Sequence, residues 1–522
     1  MSIQQTLNIQ CLFNLLTIQR FRTGTCSYFY IVMSIIVVLI IVVIIYYDRR
    51  MAFIGRDDDL RFLHDSYEDQ RAQLIVLYGR RRIGKTETLS HFAHGKPTLF
   101  FSAQTGTRQE QLTEFSRRMF EEGAPAGKYL RQYPDWQTAL GDLTDLPEPA
   151  NGRRRLVIID EFPYLVRSDP SLSSILQNLW DHKLRHSNLM IVLCGSAMSF
   201  MEKELLSEKA PLYGRATGIM KMTPMPYWDA IRFFPGYSDE DKALAYSILG
   251  GVPQYLATFD PERGLGDNVK RYILRRGSAL YSEPEILMRE EFREPAKYST
   301  IIRAIALGDT RLNDIATHTL IPVTALGFYL SSLIEVGIVE REFPVTAKPA
   351  EHTKGTRGIY RLADDYFSFW YTFVYPNRSA LDSGDVDGVW EENMRPMLHD
   401  YASRAFERMC AAWLMRESLQ GMLPFRVNRI GRWWDRTDEM DVVALDRTGL
   451  KEIAGECKFR SAPMDPSMLD LLRTRAAKLK PQELQLMLFS LSGFTEKLSR
   501  IASEDENVRL VELREMLTPK AQ

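Results

Sequence analysis

The chain has 522 residues, 45% of them hydrophobic and 25% charged, with a formal net charge of −1. Such a length holds about two to four cores, and the charge balance excludes a globally basic nucleic-acid-binding protein, so any such surface has to be local. Five cysteines, Cys11, Cys26, Cys194, Cys410 and Cys457, lack CxxC spacing, which argues against a disulfide framework or a zinc site.

Tyr28 to Tyr47, YFYIVMSIIVVLIIVVIIYY, carries no charge over a span long enough to cross a bilayer, with tyrosines at both ends. Arg20 and Arg22 precede it and Arg49 and Arg50 follow, so the flanking charges leave orientation open. The absence of a small-residue cleavage site argues against a secretory leader. Two readings fit. Residues 1–50 form an extension with a single-pass membrane anchor at 28–47 and a cytoplasmic body behind it. Alternatively the protein starts at Met51, and MAFIGRDDDLRFL is its natural opening.

From Phe53 onward apolar runs alternate with helical patterns, which predicts an α/β fold with a mostly parallel sheet. FIGRDDDLRFLHDSY predicts a capped helix. Leu74 to Leu77 predicts a buried strand, and Gly79, Arg80, Arg81, Arg82, Ile83, Gly84, Lys85 and Thr86 then form a Gly-x-x-x-x-Gly-Lys-Thr loop opening a helix. Such a loop turns backbone N–H groups inward around phosphates, and the helix dipole adds to the attraction. Lys85 would reach the outer phosphates of ATP or GTP and Thr86 would ligate Mg2+. Thr98 to Ala103 predicts a second strand, Glu110 to Phe120 a helix, and Gly123 to Ala150 an irregular insertion.

Leu156 to Ile159 predicts a central strand ending in Asp160 and Glu161. Asp160 would hold the magnesium, and Glu161 would polarise the attacking water. Asn188 to Ser196 repeats the pattern; Ser196 either contacts the terminal phosphate or is an ordinary strand-end serine. Arg215, in PLYGR, is either a charge stabiliser acting in cis or from a neighbouring subunit of a homo-oligomer, or a surface arginine.

Tyr298 to Val345 predicts three helices and a strand, the spacing of a winged helix. The third helix, Val323 to Gly337, has no Lys or Arg, so it lacks donors for guanine edges. Basic residues fall instead in the wing, at Lys348, His352, Lys354 and Arg357, which points to a structural or phosphate-only role. Tyr360 to Tyr375, dense in aromatics with few basic residues between them, predicts a packing surface.

Near the C-terminus, EMDVVALDRTGLKEIAGECK predicts two strands around a Thr448-Gly449 turn. Strand alternation puts Asp441 on one face with Val443 and Leu445, and projects Glu456 and Lys458 together. Asp441 and Glu456 would ligate a hard cation, and Lys458 would orient the attacking water of a phosphodiesterase reaction. The helix from Tyr401 to Trp413 presents Glu407 toward the same metals. An ordinary charged hairpin is the competing reading.

FIGRDDDL, YGRRRIGKT, LVIIDEFPYL, the CGS strand end, PLYGR and Gly250-Gly251-Val252-Pro253 fall in this order from Phe53 to about Leu280. Together they resemble the archaeal-type ATPases of the STAND branch of AAA+ proteins. The resemblance implies a five-stranded P-loop core over 51–225 and a helical lid over 226–294, with Gly251 and Pro253 near the nucleotide base. The winged helix then covers 295–375. IGRWWDRTDEMDVVA and GECKFR, within 386–518, are similar to the PD-(D/E)XK nuclease-like, restriction-endonuclease-like domain that the same family carries. What this implies is an ATP- and Mg2+-dependent hydrolase acting on DNA through its C-terminal domain. The alternative is a regulatory or scaffolding ATPase whose nuclease-like domain only binds DNA or protein.

Overall fold

Apolar runs too long for alternation make strands buried on both faces, and these build the first sheet. In the computed structural model, which describes residues 53–354 and 358–518, β1 (Gln73–Tyr78), β3 (Arg155–Asp160) and β4 (Leu189–Gly195) are buried throughout. With β2 (Thr98–Ser102) and β5 (Gly218–Lys221) they form a five-stranded sheet of order β2-β3-β4-β1-β5. Every pairing is parallel. Leu74, Val76, Val157, Ile159, Ile191 and Leu193 face one core, while Ile75, Leu77, Leu156, Ile158 and Val192 face the other. A parallel sheet carries all its carboxyl strand ends to one edge, and the loops after β1, β3 and β4 meet there.

The opening helix α1 (Asp57–Glu68) has no side-chain cap, contrary to the sequence expectation. Arg56, left-handed at φ 65°, occupies the cap position, and Asp57, Asp58 and Asp59 stabilise the first turn through the helix dipole. The helix α2 (Lys85–Ala93) follows the phosphate loop. The 123–150 insertion, expected to be irregular, instead holds a short α-helix, Trp136–Gly141, capped by Asp135, with 3-10 turns on either side, and it packs well, with Tyr133 and Trp136 fully buried. After α3 (Leu172–His182) and the remainder of the core come the helices α4 (Glu283–Glu291), α5 (Pro295–Ala306), α6 (Leu312–Thr319) and α7 (Val323–Glu335). An antiparallel ribbon, β6 (Val339–Glu342) with β7 (Ile359–Leu362), closes that group. The short helix α8 (Asp365–Phe369) then leads through the aromatic block, of which Tyr366, Phe367, Phe369, Trp370 and Tyr371 are buried, as a packing surface requires.

The long helix α9 (Leu398–Leu419) lies under a second sheet of order β12-β11-β10-β9-β8. Its strands are β8 (Arg429–Trp434), β9 (Glu439–Leu445), β10 (Lys451–Lys458), β11 (Glu483–Ser490) and β12 (Val508–Glu512). The first three pair antiparallel and the last three parallel. Val442, Ile453 and Phe489 pack toward α9, whereas Val443, Ala454 and Leu488 pack toward α10 (Pro466–Ala476) and α11 (Glu496–Glu504). One apolar core runs without a break from Met225 to Leu517, so the helical middle and one face of this second α/β sheet share their packing.

The candidate membrane span 28–47 lies outside the described residues, as does Arg357, one of the basic residues expected in a wing. Among the described residues no single helix is long and apolar enough to cross a membrane.

Candidate functional site

The phosphate loop depends on a glycine in the left-handed region, Gly84 at φ 86°, immediately before α2. Lys85 is buried, and its Nζ donates to the carbonyls of Gly79 at 2.9 Å and Arg80 at 3.0 Å. Burial holds its ammonium below the usual lysine range. Thr86 Oγ1 donates to Asp160 Oδ2 at 2.7 Å, and the Glu161 N–H donates to Asp160 Oδ1 at 3.0 Å. Glu161 sits at φ 52°, a conformation that a side chain rarely adopts and that functional sites retain when their surroundings enforce it. Its Oε2 accepts from Ser196 Oγ at 2.9 Å. The three strand ends therefore bring Lys85, Thr86, Asp160, Glu161 and Ser196 together. Pro253 packs against Gly84, while Gly251 lies so close to Met225 that a Cβ would fall 1.9 Å from its carbonyl oxygen.

The loop's arginines turn elsewhere. Arg80 is buried and pairs with Asp364 just before α8, with its guanidinium 5.2 Å from the centre of the Phe367 ring. Arg81 reaches Glu291 at 3.4 Å and Glu290 at 3.7 Å on α4, and Arg82 pairs with Glu283 at the start of the same helix. Their contribution to the loop is thus their backbone, not their charge. Arg215 is not gathered at the site either. Its Nε and Nη2 clamp Asp181 of α3, with Nη2 at 2.8 Å, because a fork of donors satisfies a nearby carboxylate in two bonds at once.

In the second sheet, Lys458 Nζ lies 2.6 Å from Glu456 Oε1 and 3.8 Å from Asp441 Oδ2. The Cys457 N–H donates to Asp441 Oδ2 at 2.9 Å. Burial raises the Asp441 carboxyl, and Glu456 beside it adds to the rise. Burial opposes the Lys458 ammonium, yet Glu456 and Asp441 hold it above the ordinary lysine value. Glu407 stands near this group but is held by Arg432 Nε at 3.1 Å. The donor chemistry of Asp441 and Glu456 suits a hard cation. Among the described residues, however, no three acidic, histidine or cysteine side chains are grouped closely enough to hold a metal ion. Glu407, expected to complete such a group, is ion-paired with Arg432 and feels the charge of Asp441.

Three separate ion pairs, linked to one another only through residues adjacent along the chain, lie between the phosphate loop and β8. Asp364, held by Arg80, caps α8 by accepting from the Phe367 N–H at 2.7 Å. The adjacent Asp365 pairs with Arg408 of α9. Next to Arg408 is Glu407, whose partner Arg432 also lies 3.7 Å from Glu342 of the β6–β7 ribbon. Burial lifts Asp365 to about 6, against the pull of Arg408.

A sequence profile described as an ATPase domain predominantly from Archaea matches residues 53–259. A second, described as archaeal and bacterial proteins of unknown function, matches residues 370–473. An uncharacterized protein of Methanocaldococcus jannaschii is 30% identical over 408 residues, 78% of this chain and 88% of its own length. This chain belongs to the archaeal ATPase family. Among solved structures, the chain is similar to the Walker-type ATPase of Pyrococcus abyssi, at 23% identity and a TM-score of 0.47, covering 61% of this chain and 96% of that one. The ORC2 protein of Aeropyrum pernix, solved in ADPNP–ADP complexes, gives 15% identity and a TM-score of 0.38, covering 64% and 98%.

Three residues of the chain had no role legible in the sequence. Arg56 donates to the Ile83 carbonyl at 2.6 Å and the Thr223 carbonyl at 2.7 Å, tying the chain's opening motif to the phosphate loop. The FIGRDDDL match carried that signal, although not its target. Arg475 of α10 contacts Glu456 at 3.3 Å. Arg432 had only its place in IGRWW to mark it.

Proposed function

We propose that this protein binds and hydrolyses ATP as a switch and that its C-terminal centre acts on the phosphodiester backbone of nucleic acid. The single observation that supports the coupling is the set of three ion pairs, Arg80–Asp364, Asp365–Arg408 and Glu407–Arg432, which follow one another through adjacent residues of the chain. The domain reading is a P-loop core over 51–225, a lid over 226–294, a winged helix over 295–375 and a nuclease-like domain over 386–518. Three helices followed by a two-stranded ribbon support the winged helix. A cytoplasmic body, tethered through 28–47 when that segment is translated, gives the site access to ATP.

At the first site Lys85 leaves its loop carbonyls for the outer phosphates, and the loop N–H groups enclose the remainder. Thr86 and Asp160 are the residues that would hold Mg2+, which supplies charge neutralisation along the triphosphate. Glu161, positioned by Ser196, accepts a proton from the attacking water. Pro253, packed on the loop, lets the lid sense its movement. At the second site Lys458 attracts the scissile phosphate and orients water, while Asp441 and Glu456 would hold a divalent cation that acts as a Lewis acid.

A second reading has its own support. Glu456 is claimed by Lys458 and Arg475, and no three-residue metal group is present among the described residues. On that reading the C-terminal domain binds without cutting. The deciding assay is nicking of supercoiled plasmid with Mg2+ or Mn2+ and ATP. Wild type should nick, Lys458→Ala and Asp441→Ala should not, and Lys85→Ala should lose both nucleotide binding and any ATP dependence. Equal background from wild type and the two C-terminal variants leaves the binding-only reading.

A further inference from the structure

A cleft of about 590 Å³ opens between residues 263–276 of the helical middle and residues 381–387. Its walls carry Arg263, Lys270, Arg271, Arg275 and Arg276. Three aspartates, Asp267, Asp382 and Asp387, oppose them, leaving an excess of cations in a chain whose whole formal charge is −1. Two of the basic groups are already used: Lys270 lies 3.0 Å from Asp387, and Arg263 lies 3.3 Å from Asp260. Among the described residues, Arg271, Arg275 and Arg276 have no carboxylate within ion-pair distance, and all three are exposed. The backbone that bears them is firmly set, because Ile273 and Leu274 between them are fully buried in the central core. Lys270-Arg271 and Arg275-Arg276 thus flank an anchored turn and present their charge outward.

We propose that this cleft binds the sugar-phosphate backbone of duplex nucleic acid, an inference that extends the phosphodiester reading above. The lining holds no aromatic ring and no side-chain amide, so nothing there stacks on or reads a base. Guanidinium forks match phosphate oxygens in pairs and tolerate any sequence. Contacts of that kind position a duplex without selecting it. Such a site also answers how a protein without overall positive charge approaches a polyanion: a local patch supplies the field.

The test is fluorescence anisotropy of a labelled 20-base-pair duplex with the full chain in EDTA, where cleavage does not intrude, across a salt series. Arg275→Glu/Arg276→Glu should weaken binding at least about tenfold and reduce the log–log salt slope by about two, near 0.9 for each phosphate no longer neutralised. Arg275→Gln/Arg276→Gln should fall between. Binding of a fluorescent ATP analogue, unchanged in both, shows that the variants are folded. Equal affinity and slope for wild type and variants overturns the proposal, as does displacement of the duplex by polyglutamate at equal charge. Failure of nicking with a normal variant effect here would instead remove the nuclease reading and leave the cleft standing.

Discussion

Breaking the Arg80–Asp364 pair tests whether the phosphate loop is latched to the rest of the chain. Asp364→Asn is the chosen change, because an asparagine oxygen still accepts the Phe367 N–H and so keeps the α8 cap. What it removes is the charge opposite Arg80. Both side chains are buried, with 7% and 4% of their surface exposed. Stranding one member of a buried ion pair costs about 3–5 kcal/mol, or about two to three and a half powers of ten in a local opening equilibrium at 1.4 kcal/mol per decade. Arg80→Ala also removes the packing of its guanidinium on the Phe367 ring, worth up to about 2 kcal/mol when desolvated. Hydrogen exchange followed by mass spectrometry should show peptides covering 79–86 and 364–370 exchanging faster by at least two decades in Asp364→Asn. In the double variant the two effects should fall short of their sum by about 2 kcal/mol or more, since the interaction can be broken only once. Unchanged exchange in those peptides, or strict additivity, would refute the latch and with it the proposed coupling.

Ser196→Ala should preserve ATP binding but lower turnover about ten- to a hundredfold, because Glu161 loses the 2.9 Å hydroxyl bond that positions it; steady-state ATPase rates against a binding isotherm measure the split. Glu161→Gln should retain ATP and stop turnover, and normal turnover would show the base to be another group. Glu452 supplies a pH test. It is buried in β10, its Oε1 has no hydrogen-bond partner among the described residues, and burial raises it to about 7. A carboxyl whose folded value exceeds its unfolded one of about 4.3 stabilises the protein at low pH, and that stability is lost as pH rises through about 7. Melting temperature should therefore drop between pH 5 and 8 in wild type, and drop less in Glu452→Gln; parallel curves would refute the assignment.

Short-range signals settled a great deal. The Gly79–Thr86 loop, the Asp160-Glu161 strand end and the alternation that puts Glu456 beside Lys458 depend on backbone dihedrals and side-chain period. Those are properties of a few neighbouring residues. The alternation of strands and helices also gave a mostly parallel sheet, but its order, β2-β3-β4-β1-β5, came only with the structure. Charge destinations were illegible. Arg80, Arg81 and Arg82 look like phosphate ligands in the sequence, yet each meets a carboxylate far along the chain, Asp364 lying 284 positions away. Arg215 meets Asp181, Glu407 meets Arg432, and Arg475 arrives at Glu456 from a helix with no motif. The basic cleft likewise needs two segments over a hundred residues apart to face one another. A long cation on a flexible stem takes whichever carboxylate packing brings within reach, and its own neighbours in sequence carry no record of that choice. Sequence alone therefore determined the phosphate loop and the local residue patterns around it, whereas tertiary structure decided which charges pair, because apolar burial, and not local propensity, chooses which distant charges meet.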